Sequence, residues 1–374
     1  MLRYLTAGES HGKCLIAILE GMVAGLTIDI GLINRELSRR QAGYGRSRRM
    51  KIESDKVEIL SGLRRSETIG SPIALLVKNK AESIDSLPFF TNPRPGHADL
   101  AGALKYNRRD LRDVLERASA RETACRVAVG AITRQLLSEF KIDILSHVVN
   151  IAGITADSER LSFDEVKKKC RKSRLNCADK AAEKLMINKI DEAARSGDTA
   201  GGIFKIIVKG VPPGLGSHVS YDRRLDGSLA KAIASIPSVK GVEFGIGFGA
   251  AAKTGSKVHD EIFYKKGKGF YRSSNNAGGI EGGISNGEDV VLSAAIKPIS
   301  TLRSPLKSVD VSSKKQMLAR FERADICVVA SAGIIAEAVL AFEIAKLMLE
   351  KFGGDSMEEM KRNYQGYIKQ VKEF

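Results

Sequence analysis

A mixed α/β chain folded as one domain is the class this sequence predicts, on three observations. Apolar runs rich in β-branched residues alternate with stretches of helical period. A length of 374 residues at 43% hydrophobic content can bury a large core, which aliphatic side chains must fill because the chain has no Trp. Neither a repeat period nor an obvious linker divides the chain, so the expected unit is the whole of 1–374.

The elements follow in order. "SPIALLV" (71–77) is a β-branched apolar run bounded by turn residues and reads as a strand. In "RASARETACRVAVGAITRQLL" (117–137), Ser119 and Glu122 have capping-box spacing, and the apolar repeat behind them predicts a helix to about Phe140. "SFDEVKKKCRKSR" opens on the same spacing, Ser162 and Glu165, and reads as a surface helix. "CADKAAEKLMINKIDEAARSG" reads as an amphipathic helix stopped at Gly197. Two further strands are expected in "GIFKIIVKG" (202–210) and "GEDVVLSAAI" (287–296), and two helices, about Gly333 to Lys351 and Met357 to Lys372, close the chain.

Lys and Arg number 60 against 44 acidic residues, a formal net charge of +16, so the surface field draws anions. A nucleic-acid binder should then show a basic and aromatic stripe or a reader motif; neither is present, and the arginines cluster in glycine loops. A doubly wound NAD(P) enzyme would want GxGxxG behind its first strand, where this chain has "GESHG", and no P-loop Gly-Lys-Ser/Thr occurs. The longest apolar region, "ICVVASAGIIAEAVLAFEIAKLML", is broken by Glu337, Glu343 and Lys346, and the first residues lack the apolar core of a secretory signal. No membrane partner and a cytoplasmic location are therefore expected. Five scattered cysteines without a CxxC or Cys/His cluster read as reduced thiols, not as a metal site.

Three loop-like segments stand out. "RRQAGYGRSRRMK" (39–51) sets Arg40, Arg46, Arg48 and Arg49 around two glycines, and guanidinium forks suit phosphate and carboxylate, a solvated basic loop being the plainer alternative. "TNPRPGHADLAGALKYNRRD" (91–110) carries prolines and His97, and "YRSSNNAGGIEGGISNGED" (271–289) is too glycine-rich for a regular element. The start of the Ser119 helix, flanked by Arg117 and Arg121, offers an anion free N–H groups, or is simply a well-capped helix. The lysine and hydroxyls of "KPISTLRSP" suit a phosphate or a plain loop. His11 and His97 sit beside glycines, where imidazole is the most available proton carrier near neutral pH, although a lone loop histidine is more often a surface residue. Asp325 in "FERADICVV" precedes an apolar run, as a base or as a terminal polar residue.

Taken together and in order, "AGESHG", "RRQAGYGRSRRMKIESDKVEILSG", "RPGHAD", "RASARETACRVAVGAI", "GGIEGGISNGEDV", "KPIST" and "FERADICVVASAGIIAEA" resemble the successive motifs of the chorismate synthase family, from residue 2 to about 345. The resemblance implies an α+β fold, a single-domain sandwich of helices between β-sheets with an internal βαβ duplication, assembled as a homotetramer. It implies a lyase of the shikimate pathway of aromatic amino acid biosynthesis. That enzyme converts 5-enolpyruvylshikimate 3-phosphate to chorismate by 1,4-elimination of phosphate and requires reduced FMN. NADPH is then a possible reductant, acting directly or through a separate flavin reductase, and the residues leave that choice open.

By the same resemblance, His11 is the candidate acid for the leaving phosphate, His97 lies against the flavin, and Asp325 helps proton transfer at the flavin N5. The two histidine roles can be exchanged without altering any motif. Ser10, Arg40, Arg46, Arg49 and Arg121 map to the substrate. Arg117, Ala118, Ser119, Gly282, Lys297, Pro298, Ile299, Ser300, Thr301 and Arg323 map to FMN. Pro237 and Ser238 stand where family members often carry an amide and a small residue.

Overall fold

The computed structural model describes residues 1–46, 54–80, 84–322 and 325–374. Its first sheet contains β1 (Arg3–Ala7), β2 (Cys14–Glu20), β3 (Val57–Ile59) and β4 (Ile73–Lys78), antiparallel in the order β1-β2-β4-β3. Side chains alternate across it: Leu15, Ala17 and Leu19 turn inward with Ile73, Leu75 and Val77, while Ile18 is exposed and pairs with an exposed Leu5. The second sheet contains β5 (Asp143–Ile151), β6 (Ile154–Thr155), β7 (Gly202–Lys209), β8 (Val239–Phe244) and β9 (Val290–Ile296), antiparallel in the order β8-β9-β7-β5-β6.

The helices are α1 (Ile30–Gln41), α2 (Asp99–Tyr106), α3 (Arg112–Ala118), α4 (Thr123–Ser138), α5 (Phe163–Cys170), α6 (Lys180–Ser196), α7 (Leu225–Ala234), α8 (Val329–Phe352) and α9 (Met357–Glu373). Helix α4 packs on the first sheet, α8 on the second, and the two pack on each other, so helices fill the space between the sheets. An all-round apolar sequence is what such a position requires, and α8 is buried along most of its length. The two halves also share an order of elements. In the chain, β1-β2-α1-β3-β4-α4 is matched by β5-β7-α7-β8-β9-α8, and in both sheets the fourth strand lies between the second and third.

Most elements agree with the sequence reading, including the reciprocal Ser162–Glu165 capping box and the left-handed Gly197 that ends α6. Two differ. Segment 91–110 is not all loop: past Pro95 and Gly96, its Ala- and Leu-rich stretch forms α2. Ser119 caps a single 3₁₀ turn, Ala120–Glu122, by accepting from the Arg121 N–H. Glu122 does not reach back to it; its carboxylate is drawn off by Thr6 Oγ1 at 2.9 Å and by Arg126 Nε at 2.9 Å, so α4 begins later, at Thr123.

One carboxylate ties the helical layer together. Glu337, in the middle of α8 and 1% exposed, accepts from Arg39 of α1 at 2.8 and 3.0 Å and from Arg134 of α4 at 2.8 Å. It also accepts from the Ser146 N–H and Oγ of β5, both at 2.8 Å. Burial pushes this carboxyl up, but the two guanidiniums and their hydrogen bonds outweigh it and bring it down to about 2, from 4.5.

Two outcomes follow for stability. Because the folded-state value lies below the unfolded one, the Glu337 contribution is complete above the ordinary carboxylate range and is lost as pH falls from about 4.5 towards about 2. E337Q should lower the unfolding free energy by about 3–5 kcal/mol at neutral pH, with the gap to wild type narrowing in urea titrations at acid pH; a pH-independent gap would contradict the ionised network. At the α4–α8 crossing, a Cβ on Gly130 would come within 2.5 Å of the Ala338 Cα and carbonyl O. G130A should therefore destabilise by about 1–3 kcal/mol in the same titrations despite its better helix propensity.

Candidate functional site

The turn between β1 and β2 carries "GESHG". Gly8 has φ of +103°, and a side chain there would collide with the Cys14 carbonyl, so the turn needs glycine to bring its residues close to the sheet. Its N–H groups dock on the end of α3: Ser10 N–H donates to the Glu116 carbonyl at 3.0 Å and His11 N–H to Glu116 Oε2 at 2.9 Å. His11 Nδ1 lies 3.0 and 3.1 Å from the two oxygens of the same carboxylate. The Glu116 side chain is 1% exposed, and Arg112 Nη1 stands 3.5 Å away on its other flank. Burial pushes this carboxyl up; the hydrogen bonds and charge of His11, with Arg112 behind them, leave it below its ordinary value. Ser119 Oγ lies 3.2 Å from Ser10 Oγ, so one residue assigned to FMN meets one assigned to the substrate.

Next to this turn, two arginines share one carboxylate. Arg40, in the last turn of α1, reaches Asp55 at 2.7 Å, and Arg121 reaches it at 2.6 and 2.7 Å. All three residues are buried, and the trio carries a net single positive charge. Arg40 Nε is buried with no hydrogen-bond partner among the described residues. Asn79 joins this trio to the histidine turn: its Oδ1 accepts from Arg121 Nε at 2.9 Å, while its Nδ2 donates to the Glu9 and Gly12 carbonyls at 3.0 and 2.7 Å.

His97 has a separate setting. Its Nδ1 is 2.6 Å from Asp99 Oδ1, and Asp99, fully buried, also accepts from Arg94 Nε at 2.8 Å and from the Arg94 N–H at 3.0 Å. Burial raises the Asp99 carboxyl, yet His97 and Arg94 hold it well below the usual carboxylate range. Arg94 Nη1 donates to Thr301 Oγ1 at 2.9 Å, and Lys297 Nζ donates to the Gly96 carbonyl at 2.9 Å, so both ends of the "KPIST" loop are tied to the segment that bears His97. Burial and the nearby Lys240 lower the Lys297 ammonium. The Lys297 N–H also donates to the Ser238 carbonyl at 3.0 Å, and Ile299 offers its carbonyl to Thr199 Oγ1 at 2.7 Å, which fixes Pro298 between them, with Ser300 next in the chain.

Other assigned residues fall into place less uniformly. Asp325 pairs with Arg46 at 3.0 Å, and Arg46 also donates to Ser331 Oγ in the first turn of α8 at 3.0 Å. Arg117 is exposed, and its guanidinium braces β1 through the Gly8 and Thr6 carbonyls at 2.9 Å each, leaving Ala118 to close α3. Gly282 turns a small hairpin (280–285) that docks on Pro212 and Leu215; no hydrogen bond among the described residues joins this hairpin to either histidine. Arg49 and Arg323, with Arg48, lie outside the described residues.

The sequence reading missed the carboxylates. Glu116, Asp99 and Asp55, with Asn79 and Arg94, are the buried partners that hold the assigned cations and histidines. Asp99 stood inside the quoted "RPGHAD", and its spacing of two from His97 was a usable signal. Glu116 and Asp55 had none, because 105 residues separate Glu116 from His11 and 66 separate Asp55 from Arg121.

Helices between antiparallel sheets, buried guanidiniums and two histidine–carboxylate pairs define a class: an α+β sandwich equipped to handle an anionic small molecule. The comparisons make it specific. The family model described as Chorismate synthase matches residues 2–349. The chain is 53% identical to a chorismate synthase of Desulforudis audaxviator, over 100% of this chain and 98% of the relative, and 54% identical to one of Pelobacter propionicus, over 100% of both. A crystal structure of chorismate synthase superposes with a TM-score of 0.83 at 43% identity, covering 100% of this chain and 99% of the other. The chain belongs to the chorismate synthase family and is a lyase.

The shared carboxylate yields a test that needs no substrate. D55N leaves two buried guanidiniums without their counter-charge and should cost about 3–5 kcal/mol of stability. Because an anion bound between them would restore part of that loss, inorganic phosphate should raise the melting temperature of D55N more than that of wild type. Equal shifts would mean that the pair does not face an anion site.

Proposed function

We propose that the protein converts 5-enolpyruvylshikimate 3-phosphate to chorismate, by 1,4-elimination of phosphate with reduced FMN bound, within the shikimate pathway. The observation that carries this reading is the division of the two histidines between two cationic settings. His11 shares its neighbourhood with Arg40 and Arg121, whereas the segment that bears His97 is joined to Lys297 through the Gly96 carbonyl and to Thr301 through Arg94. The former suits a phosphate and two carboxylates; the latter suits a flavin and its phosphate.

The residues fit the cofactor. Burial and the nearby Lys240 lower the Lys297 ammonium, and two hydroxyls, Ser300 and Thr301, follow in the same loop. Such a donor set matches a phosphate. When bound, reduced FMN would lend the reaction transient electron density without net oxidation, and the Lys297–Thr301 loop would hold it. Arg40, Arg46, Arg49 and Arg121 hold the anionic substrate and neutralise the departing phosphate, with Ser10 beside them. His11 holds the proton that leaves with the phosphate, His97 would stand against the reduced flavin, and Asp325, oriented by Arg46, would assist proton transfer at its N5. Arg117, Ala118, Ser119, Gly282, Pro298, Ile299 and Arg323 complete the cofactor assignment.

The protein is further proposed to act in the cytoplasm as a homotetramer of single-domain chains, a reading supported by Leu5, 77% exposed, and Ile18, 47% exposed, on the outer face of the first sheet. The matching order of elements in the two halves supports the internal duplication, its βαβ segments being β2-α1-β3 and β7-α7-β8.

The deciding experiment is anaerobic: purified protein, 5-enolpyruvylshikimate 3-phosphate and photoreduced FMN, with oxidised FMN as control, followed by chorismate absorbance and phosphate release. Product only with reduced flavin supports the reading, and none from a folded, FMN-binding protein refutes it. Replacing photoreduction by NADPH decides whether the chain reduces its own flavin. H11A should lower kcat by about 10²–10⁴-fold while FMN affinity stays unchanged; a matching loss of FMN binding would move His11 to the cofactor. R46A should weaken substrate binding more than FMN binding, and unchanged substrate affinity would remove that arginine from the site.

A further inference from the structure

We infer that Glu116 is the positioning residue that decides which nitrogen of His11 carries the transferable proton. This rests on the reaction proposed above. Three donors converge on its carboxylate: the His11 N–H, His11 Nδ1 and Arg112 Nη1. An ionised carboxylate only accepts, so Nδ1 must carry a hydrogen, and Nε2 is left as the nitrogen that exchanges a proton with the reacting molecule. The backbone contact matters as much as the ring contact, because the same oxygen, Oε2, holds both ends of His11 and allows the ring no independent rotation.

Glu116 is itself held from behind. Arg112 lies 5.0 Å from the Phe90 ring and donates to Glu322 at 3.0 Å, three residues before Asp325. Leu115 of the same helix and Leu111 just before it, both buried, pack in the cluster that contains Phe90. The chain His11–Glu116–Arg112–Glu322 therefore runs from one proposed proton carrier to the segment that bears another. His97 also meets a buried carboxylate through Nδ1, that of Asp99, but there the arginine, Arg94, touches both the carboxylate and the ring.

An amide cannot replace Glu116. Glutamine offers one oxygen to three donors, and however it is turned its NH₂ faces at least one of them. With its oxygen at the Oε2 place the amide sets its NH₂ against Arg112, and turned the other way against the His11 N–H; in either pose Nδ1 loses the charged acceptor that holds its hydrogen, which can then move to Nε2.

The test uses full-length protein labelled with ¹⁵N-histidine. In wild type, the His11 Nδ1 signal should be that of a protonated nitrogen; an unprotonated Nδ1 overturns the inference without any variant. In E116Q, Nδ1 should become unprotonated, kcat should fall by about 10–100-fold, and substrate KM and FMN affinity should stay near wild type. E116D, which keeps the charge, should restore the wild-type tautomer and part of kcat. Loss of activity in E116Q with Nδ1 still protonated would mark a merely structural role and overturn the inference, as would wild-type kcat in E116Q. Absence of chorismate from wild type with reduced FMN would instead sink the reaction reading, while the tautomer measurement would still decide for or against Glu116.

Discussion

A carboxylate buried in the helical layer must be satisfied or it unfolds the layer, and Glu337 is satisfied only if four elements stand in one arrangement. Arg39, Arg134 and Ser146 come from α1, α4 and β5, and Glu337 from α8. Apolar packing between α4 and α8 supplies area, but it would tolerate sliding; the directional bonds to Glu337 do not. Adjacent residues on α1 project about 100° apart, so the last turn of that helix sends Arg39 into this network and Arg40 to Asp55. The core and the Asp55 cluster are thus anchored by neighbouring side chains.

The same economy governs the site. Asp55 holds Arg40 and Arg121, Glu116 holds His11 and Arg112, and Asp99 holds His97 and Arg94. Each carboxylate is buried, and each serves two cationic or potentially cationic partners. Paired this way, the cations can be kept out of water at tolerable cost, and the Asp55 trio, with two guanidiniums on one carboxylate, keeps one net positive charge. Fixed donors of this kind need no reorganisation when charge develops on a leaving group. The excess of basic residues in the composition becomes, at this point, a local field with a direction.

Legibility in the sequence tracked distance along the chain. The Ser162–Glu165 cap and the Gly197 stop were readable because their partners lie within a turn. The Ser119–Glu122 pair had identical spacing and failed, since Glu122 found a better partner in Thr6, 116 residues away. Spacing states what a side chain can reach locally, not what will compete for it. The motif histidines and arginines were visible because their residue types are chemically distinctive and sit among glycines. Their carboxylate partners looked like ordinary surface acids.

From residue types and periods alone came the α/β class, the anionic target, the catalytic histidines as candidates and, through the ordered motifs, the family. These properties reside in short stretches, where side-chain chemistry and backbone preference act over a few bonds. Folding alone assigned the partners: which acid lies under His11, which guanidiniums share Asp55, and that Arg46 meets Asp325. It also separated the two histidines into different cationic settings, something no motif distinguishes. Those pairings arise from strands and helices far apart in the chain, and burial selects among them, because the cost of leaving a charge unpaired exists only once water has been removed.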